Sequence, residues 1–304
     1  MLYYLPVPVK GSLAFLLYVF NTLFFCTFLF LVASIKLLIP WSPLTRQCDR
    51  VLNFIATCWI AVNGFNSNLF SRLEWDIRGT QEFSRKEWYL VLSNHQSWVD
   101  ILVLQKCLNT RIPLLKFFLK KELIWVPVLG LAWWALDFPF MQRYSSAQLK
   151  AKPHLKGKDL ERTKTACRKF KTIPVSVMNF IEGTRFTPEK HLSQNSDFQH
   201  LLSPKAGGIA FVLGAMGEYL HKIVNVTIVY QGSPPTFWQY ISGQVKKITV
   251  DFEILPITSH MIGDYFNDPA FKDSFCTWLN TLWLEKDRKI ETIKMESSST
   301  GSSL

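Results

Sequence analysis

The sequence predicts an α/β fold, in which a mixed sheet is flanked by helices and preceded by an N-terminal helical membrane anchor. Short apolar runs that end in polar turns predict the sheet, and Ile248 to Ile254 alternates strictly between apolar and polar residues. The stretch Gly11 to Ile35 predicts the anchor, because it carries no charge and is long enough to cross a bilayer. We expect anchor segments over residues 1–70, a folded domain over 71–290 and a disordered Ser/Thr-rich tail over 291–304.

The anchor prediction rests on length and flanking charge. Gly11 to Ile35 is longer than a signal-peptide core and has no clear Ala-x-Ala cleavage site, which favours a retained segment. A second charge-free run, Val51 to Phe70, holds several asparagines, so it either lies at the membrane interface or packs on the first segment. Lys36, Arg46 and Arg50 follow the first segment, and the positive-inside rule then favours a cytoplasmic domain, at the plasma or inner membrane if the protein is bacterial.

The charge balance predicts an acidic partner. The chain has a formal net charge of +11. For an anchored chain this favours the anionic leaflet surface, at about 1 kcal/mol per nearby basic residue. Nucleic acid is the competing partner, but the sequence has no nucleic-acid recognition motif. The six cysteines are scattered without Cys-x2-Cys spacing, so we expect no metal site, no disulfide framework and a reducing compartment.

The domain elements follow from periodicity and from prolines. Three prolines exclude one continuous helix in the apolar stretch Ile112 to Met141, so we expect helical pieces followed by a strand near Leu136 to Met141; a third membrane span is the alternative. The predicted strands are Glu74–Gly79, Glu87–Leu92, Val175–Ile181, Val224–Tyr230 and Ile248–Ile254. The predicted helices are Asp159–Phe170, Gly207–Leu220 and Asp268–Lys286.

The segment Asn94 to Asp100 follows an apolar strand and carries a histidine five residues before an aspartate. Imidazole suits proton abstraction near neutral pH, and a carboxylate on its second nitrogen fixes the tautomer. Residues five apart lie ~140° apart on a helix, so the pair works only if His95 lies in the strand-to-helix turn and Asp100 in the first helical turns. A capped helix start with an unrelated aspartate is the alternative. The predicted helical stripe is Trp98, Ile101, Leu102 and Gln105.

A second polar turn, Glu182 to Arg185, follows the strand Val175–Ile181. Ligands of α/β sheets bind at the carboxyl ends of strands. Gly183 allows close backbone approach, and Arg185 offers a fork of donors suited to a phosphate. Alone, the pattern Glu-Gly-Thr-Arg is a weak signal of function, because Glu-Gly turns are common and an exposed arginine is usually only solvated.

Together the two turns resemble the lysophosphatidic acid acyltransferase family. Its first motif, Asn-His-x4-Asp, is met from Asn94 to Asp100, and its third, Phe-x-Glu-Gly-Thr-Arg, from Phe180 to Arg185. Gly130 to Arg143 resembles its second motif, and a lysine pair precedes that run. The fourth motif departs from the usual Val-Pro-rich strand, since Val224 to Tyr230 is more similar to the lysocardiolipin acyltransferase branch.

The resemblance implies a glycerolipid acyltransferase fold with its catalytic domain over residues 71–290. It implies transfer of a fatty acyl chain from acyl-CoA or acyl carrier protein, as co-substrate, to 1-acylglycerol 3-phosphate, with no cofactor and no metal. His95 and Asp100 are then the catalytic dyad. The implied substrate-binding residues are Glu182, Gly183, Thr184, Arg185, Arg143 and Lys120.

Other functions remain open at the level of the sequence. The acceptor is lysophosphatidate, lysophosphatidylglycerol or lysocardiolipin, and the acyl donor and chain length are not encoded in any motif. A lipase-like hydrolase would use the same dyad on water, and a non-catalytic adaptor would bind anionic lipid through its basic surface. A covalent serine mechanism is disfavoured, because the chain has no Gly-x-Ser-x-Gly elbow.

Overall fold

The computed structural model describes residues 2–79, 82–141, 170 and 173–301. The α-helices in these ranges are α1 Val7–Leu38, α2 Ser42–Phe70, α3 Val99–Leu108, α4 Leu129–Ala135, α5 Pro188–Gln194, α6 Ala206–Met216, α7 Phe237–Ile241 and α8 Pro269–Gly301. Short 3-10 helices cover Lys121–Trp125 and Ser259–Met261. The strands are β1 Glu74–Arg78, β2 Trp88–Ser93, β3 Leu115–Phe117, β4 Leu119–Lys120, β5 Phe140–Met141, β6 Ser176–Phe180, β7 Leu220–Tyr230 and β8 Lys247–Pro256.

A six-stranded sheet in the described part of the chain has the order β1-β8-β7-β2-β6-β3. The β7–β8 pair is antiparallel and the other neighbours are parallel, which confirms the predicted mixed sheet. β4 and β5 form a separate small parallel pair. Because β2, β6 and β7 run in the same direction, their carboxyl ends meet at one edge of the sheet, and the turns that follow them are brought together there.

Helices cover both faces of the sheet. Along β2, Tyr89 and Val91 pack into a core that includes residues of α1, α2 and α3. Leu90 and Leu92 point to the opposite face and pack into a second core built mainly by α6 and α8. This alternation of side chains follows from the two-residue period of a strand. The fully buried β2 therefore forms the centre of a three-layer domain.

α1 and α2 form an antiparallel pair. The Asn21 side-chain amide donates to the Trp59 carbonyl at 3.1 Å and to the Asn63 side-chain oxygen at 2.8 Å. The packing interpretation of the second charge-free run is thereby confirmed, because buried amides of the two helices satisfy each other. Of the helices that the structure describes, α1 is the one long and apolar enough to cross a membrane. Most of its apolar surface is exposed, unlike that of a core helix.

The stretch Ile112 to Met141 contains the expected helical pieces, the 3-10 helix and α4, followed by β5. The alternative of a third membrane span is wrong. Two strands, β3 and β4, were not predicted. At three and two residues they are too short to leave a periodic signal in a mostly apolar stretch.

The helix that the stripe indicated is present as α3, and Ile101 and Leu102 pack against the first core, but the stripe is not the fully buried face of the helix. Its buried face holds Val99, Asp100, Val103 and Leu104, whereas Trp98 is 54% exposed. The stripe was assigned from apolar spacing alone. The helix is instead rotated so that the Asp100 carboxylate faces inward toward the turn that precedes it.

The C-terminal helix is longer than the sequence predicted. α8 continues to Gly301, whereas a helix ending at Lys286 and a disordered tail over 291–304 were expected. Ile290 and Ile293 are buried in the second core, and the Ser297 hydroxyl donates back to the Ile293 carbonyl at 2.8 Å. These contacts extend the helix into a polar sequence. The predicted helix Asp159–Phe170 lies, apart from Phe170, outside the described residues.

Candidate active site

The first turn joins the carboxyl end of β2 to α3 and is fixed by Asn94. Its side-chain amide donates to the Ile228 carbonyl and its side-chain oxygen accepts from the Ile228 amide, both at 2.9 Å. Asn94 thus forms a two-point bond to the neighbouring strand β7, although it is itself no longer part of β2. The next residue, His95, is held at the sheet edge by this bond.

His95 and Asp100 form the predicted dyad. The His95 Nδ1 and the Asp100 Oδ2 are 2.9 Å apart, and the two side chains are 13% and 1% exposed. Since the carboxylate accepts, Nδ1 carries the proton in the neutral imidazole and Nε2 carries the lone pair. Among the residues that the structure describes, none is hydrogen-bonded to Nε2. The imidazole therefore presents a basic nitrogen in the orientation that a general base requires.

The Asp100 carboxyl group accepts hydrogen bonds from four donors. Besides the imidazole, Oδ2 accepts from the backbone amides of Gln96 at 2.6 Å and Ser97 at 2.9 Å. Oδ1 accepts from the Tyr230 hydroxyl at 2.5 Å. Asp100 also lies in the first turn of α3, where the helix dipole favours negative charge. Burial, with the Asp100 charge beside it, raises the pKa of Tyr230, which therefore remains a protonated donor.

The Phe180 ring stacks on one face of the His95 imidazole. It lies nearly parallel to the His95 ring, with centroids 3.9 Å apart and an interplanar angle of 13°. Phe117 lies on the other side, with its centroid 6.2 Å from that of Phe180. The stack leaves the imidazole little freedom to rotate, so Phe180, the last residue of β6, orients the His95 ring in the turn that follows β2.

The third-motif turn packs directly on the dyad turn. Gly183 adopts a left-handed conformation with φ 71°, which a side chain disfavours. The chain then returns so that the Phe186 amide donates to the His95 carbonyl at 2.7 Å. The two motifs, in which His95 and Phe180 are 85 positions apart in the sequence, are therefore brought to one edge of the sheet.

Glu182 is completely buried and joins two loops. Its Oε1 accepts from the His95 amide at 2.8 Å and its Oε2 from the Leu202 amide at 3.0 Å. Burial raises the pKa of Glu182 to about 8, while the two amides act in the opposite direction. A carboxylate enclosed in this way has no oxygen left for a substrate. Glu182 therefore supports the site through the backbone, and direct phosphate contact, as the motif implied, is not what this geometry favours.

Arg185 and Lys190 place two cations beside the dyad turn. The exposed Arg185 guanidinium lies 4.8 Å from the centre of the Trp98 ring. Lys190, at the start of α5, donates to the Thr184 hydroxyl at 2.7 Å and to the Arg185 carbonyl at 3.0 Å. The guanidinium fork is exposed to solvent beside Trp98, the residue that precedes α3, an arrangement suited to an anionic group.

The two remaining predicted residues, Lys120 and Arg143, lie between the two motifs in the sequence. Lys120 ends β4, is exposed, and follows Phe117 by three residues. Arg143 lies outside the described residues. Within the described residues, no cluster of three metal-ligating side chains occurs.

Sequence reasoning missed Tyr230, Lys190 and the stacking role of Phe180. Tyr230 carried only a partial signal: it ends a predicted strand, and the carboxyl ends of parallel strands share one edge, but the sequence did not predict that this strand lies beside the dyad strand. Lys190 has no such signal, since its position depends on the length of the turn before α5.

Comparison with known proteins agrees with this geometry. Residues 74–230, half of the chain, match the Acyltransferase family. The chain is 26% identical over 231 residues to 1-acyl-sn-glycerol-3-phosphate acyltransferase 3 of Arabidopsis thaliana, covering 70% of this chain and 55% of that protein. It is also 26% identical to the human 1-acyl-sn-glycerol-3-phosphate acyltransferase delta, covering 82% and 65%. The chain thus spans little more than half to two thirds of the length of these relatives.

The fold has a solved counterpart. The crystal structure of the 1-acyl-sn-glycerophosphate acyltransferase PlsC of Thermotoga maritima superposes with a TM-score of 0.52, at 17% identity, over 95% of this chain and 98% of that one. The structural likeness covers the N-terminal helices as well, which lie outside residues 74–230, the segment that matches the family. With its family match centred on the strands that carry the dyad, this chain belongs to the acyltransferase family.

Proposed function

We propose that this protein transfers a fatty acyl chain from the thioester of acyl-CoA or acyl carrier protein to the free hydroxyl of 1-acylglycerol 3-phosphate, forming phosphatidic acid. The observation that carries the proposal is the dyad, in which Nδ1 of His95 is 2.9 Å from a buried carboxylate and Nε2 accepts no bond from any described residue. The names of the relatives support the choice of acceptor.

In the proposed reaction His95 acts as general base. Nε2 takes the proton of the acceptor hydroxyl as that oxygen attacks the thioester carbonyl carbon. The tetrahedral intermediate then expels the thiolate, and the imidazolium returns its proton to the sulfur. Asp100 holds the tautomer and stabilises the imidazolium by its charge. No acyl-enzyme forms, because the acceptor oxygen attacks directly.

The acceptor phosphate would bind at the Arg185 guanidinium. A planar guanidinium makes two parallel charge-assisted bonds to a phosphate, and Lys190 adds a second positive charge at the same turn. Thr184 fixes Lys190, and Gly183 makes the turn possible. Lys120 and Arg143 remain proposed as further anion contacts. The acyl chain would lie along the apolar residues of Ile112 to Met141, next to Phe117.

The protein would act at a membrane, attached through α1, with anionic lipid at its basic surface and the catalytic domain on the cytoplasmic side. Support comes from the exposed apolar surface of α1 and from the positive residues that follow it. Protease digestion of sealed vesicles of opposite orientation tests the topology. Cleavage of the domain from the outer, non-cytoplasmic face would contradict it.

The deciding experiment is an acyl-transfer assay with the full chain in lipid vesicles, supplied with lysophospholipids that differ only in head group. We expect lysophosphatidate to be the best acceptor and His95→Ala to reduce its turnover by ~10²–10⁴-fold, the usual contribution of a general base. Membrane association of His95→Ala should be unchanged.

Three outcomes would contradict the proposal. Fatty acid release without an acceptor would indicate a hydrolase. Faster turnover of lysophosphatidylglycerol or lysocardiolipin than of lysophosphatidate would contradict the proposed acceptor. Full activity of His95→Ala would contradict the general-base mechanism.

A further inference from the structure

Three neighbouring residues of α8 are buried beneath the candidate active site, although α8 lies outside the segment that matches the family. Trp283 is fully buried, Lys286 is 1% exposed and Asp287 is 7% exposed. Burial of a charged side chain costs free energy that an apolar residue of similar volume would not. The presence of a lysine at this position therefore requires an explanation beyond filling the core.

Hydrogen bonds connect α8 to the dyad through one loop. The Trp283 indole donates to the Leu202 carbonyl at 3.1 Å, and the Leu202 amide donates to Glu182 at 3.0 Å. The other Glu182 oxygen accepts from the His95 amide. The path from the helix to the general base thus consists of three consecutive hydrogen bonds.

Asp287 fixes the same loop from its other end. One carboxylate oxygen accepts from the Gln199 amide and the other from the His200 amide, both at 2.8 Å. The segment 199–202 is therefore held to α8 at both ends. These contacts hold the backbone of the segment in place, so that the Leu202 amide stays directed at Glu182.

Lys286 acts on this arrangement by charge and by position. Its ammonium donates to the carbonyl of Val226 and lies 5.0 Å from the centre of the Trp283 ring. Val226 is the β7 partner of Ser93, two residues before His95. Lys286 thus contacts the strand beside the dyad and the ring of Trp283, whose indole begins the hydrogen-bonded path to Glu182.

We propose that Trp283 and Lys286 are positioning residues of the acyl-transfer site, which fix Glu182 and, through its bond to the His95 amide, the place of the imidazole. This inference rests on the proposed function. Neither side chain touches a substrate. Their effect is on how often the imidazole occupies the reactive geometry.

The test measures kcat and KM of the full chain in vesicles for Lys286→Met and Trp283→Phe, which keep most of the buried volume. A displacement of about 1 Å at a reacting group costs up to ~10²-fold, so we expect kcat to fall at least tenfold with both KM values within about twofold of wild type. Rates are compared well below the unfolding temperature of each variant and per folded molecule. Lys289→Met is the matched control, because Lys289 lies on the same helix but pairs with Asp251 at 2.6 Å on a partly exposed surface.

A double-substitution cycle separates positioning from simple stabilisation. If Lys286 acts through Glu182, Glu182→Gln combined with Lys286→Met should lower kcat no more than the worse single variant. Multiplicative losses, or a wild-type kcat in the folded Lys286→Met and Trp283→Phe variants, would overturn the inference. Inactivity of the wild-type chain toward every lysophospholipid would instead overturn the proposed function.

Discussion

At the scale of single residues, the dyad depends on groups that hold the carboxylate as much as on the carboxylate itself. Asp100 receives four hydrogen bonds, of which three converge on one oxygen and the fourth comes from Tyr230. The backbone donors follow from the turn and vary little with sequence. Tyr230 is a side chain on a different strand, so it is the donor that substitution can remove cleanly.

We expect Tyr230→Phe to reduce kcat by roughly tenfold, about 1.4 kcal/mol, which is a smaller loss than that of His95→Ala. Asp100 keeps its charge and its bond to the imidazole but loses one donor, a bond to a charged group worth about 1.5–3 kcal/mol. Steady-state kinetics and thermal unfolding measure the two effects. Tyr89→Phe is the matched control, since Tyr89 also donates to a carboxylate, Glu87 at 2.9 Å, but at the opposite end of β2. Equal losses of kcat in the two variants would argue against a specific role of Tyr230.

Arg185 separates recognition from catalysis. We expect Arg185→Lys to raise the acceptor KM strongly with little change in the donor KM, because lysine supplies a point charge instead of a fork. Arg185→Ala should cost more, on the order of 2–5 kcal/mol if the phosphate site is desolvated. The losses should be larger for lysophosphatidate, a phosphate monoester, than for lysophosphatidylglycerol, a diester. Equal losses on both acceptors would assign Arg185 to the fold or to the donor site.

At the scale of elements, the N-terminal helix pair contributes to the core of the domain in addition to its proposed role in membrane attachment. Buried residues of α1 and α2, among them Ala14, Tyr18, Leu29 and Leu52, belong to the same core as β2 and α3. Removal of both helices would therefore expose the core as well as remove the anchor. Substitutions on the exposed face of α1 test membrane attachment without this complication.

We expect the wild-type chain to stay in the membrane fraction at 1 M salt, where the Debye length is about 3 Å and contacts with basic residues are screened. The triple variant Phe20→Ser/Phe24→Ser/Phe28→Ser should shift to the soluble fraction, because each exposed phenylalanine contributes about 1.5–3 kcal/mol on burial in lipid. These rings are 67%, 48% and 46% exposed. Leu192→Ser/Phe266→Ser removes exposed apolar groups elsewhere and should leave sedimentation unchanged. Salt-resistant binding of the triple variant would place the attachment elsewhere, with Ile112 to Met141 as the next candidate.

At the scale of the whole molecule, the sequence predicted what depends on local pattern. The strands that carry the motifs, the α1 helix and the His95–Asp100 pair all follow from periodicity, chain direction and motif spacing. The order of the strands, the rotation of α3 and the burial of Glu182 depend on contacts between residues far apart in sequence. Tyr230 lies 130 residues from Asp100 and Trp283 lies 81 residues from Leu202, and no local pattern encodes such pairs.

The contact between Gly11 and Trp238 has a mechanical consequence. A Cβ atom on Gly11 would lie 2.4 Å from the Trp238 ring, so the close packing of α1 against α7 requires glycine at this position. Three residues before Trp238, the Pro235 carbonyl accepts from the Ser97 hydroxyl in the dyad turn. Through α7, α1 is therefore connected to the turn that carries His95. We expect turnover at saturating substrate to depend on bilayer thickness. A change in the tilt of α1 would move Trp238 through its contact with Gly11, and the Pro235–Ser97 hydrogen bond would pass this movement to the turn that carries the imidazole.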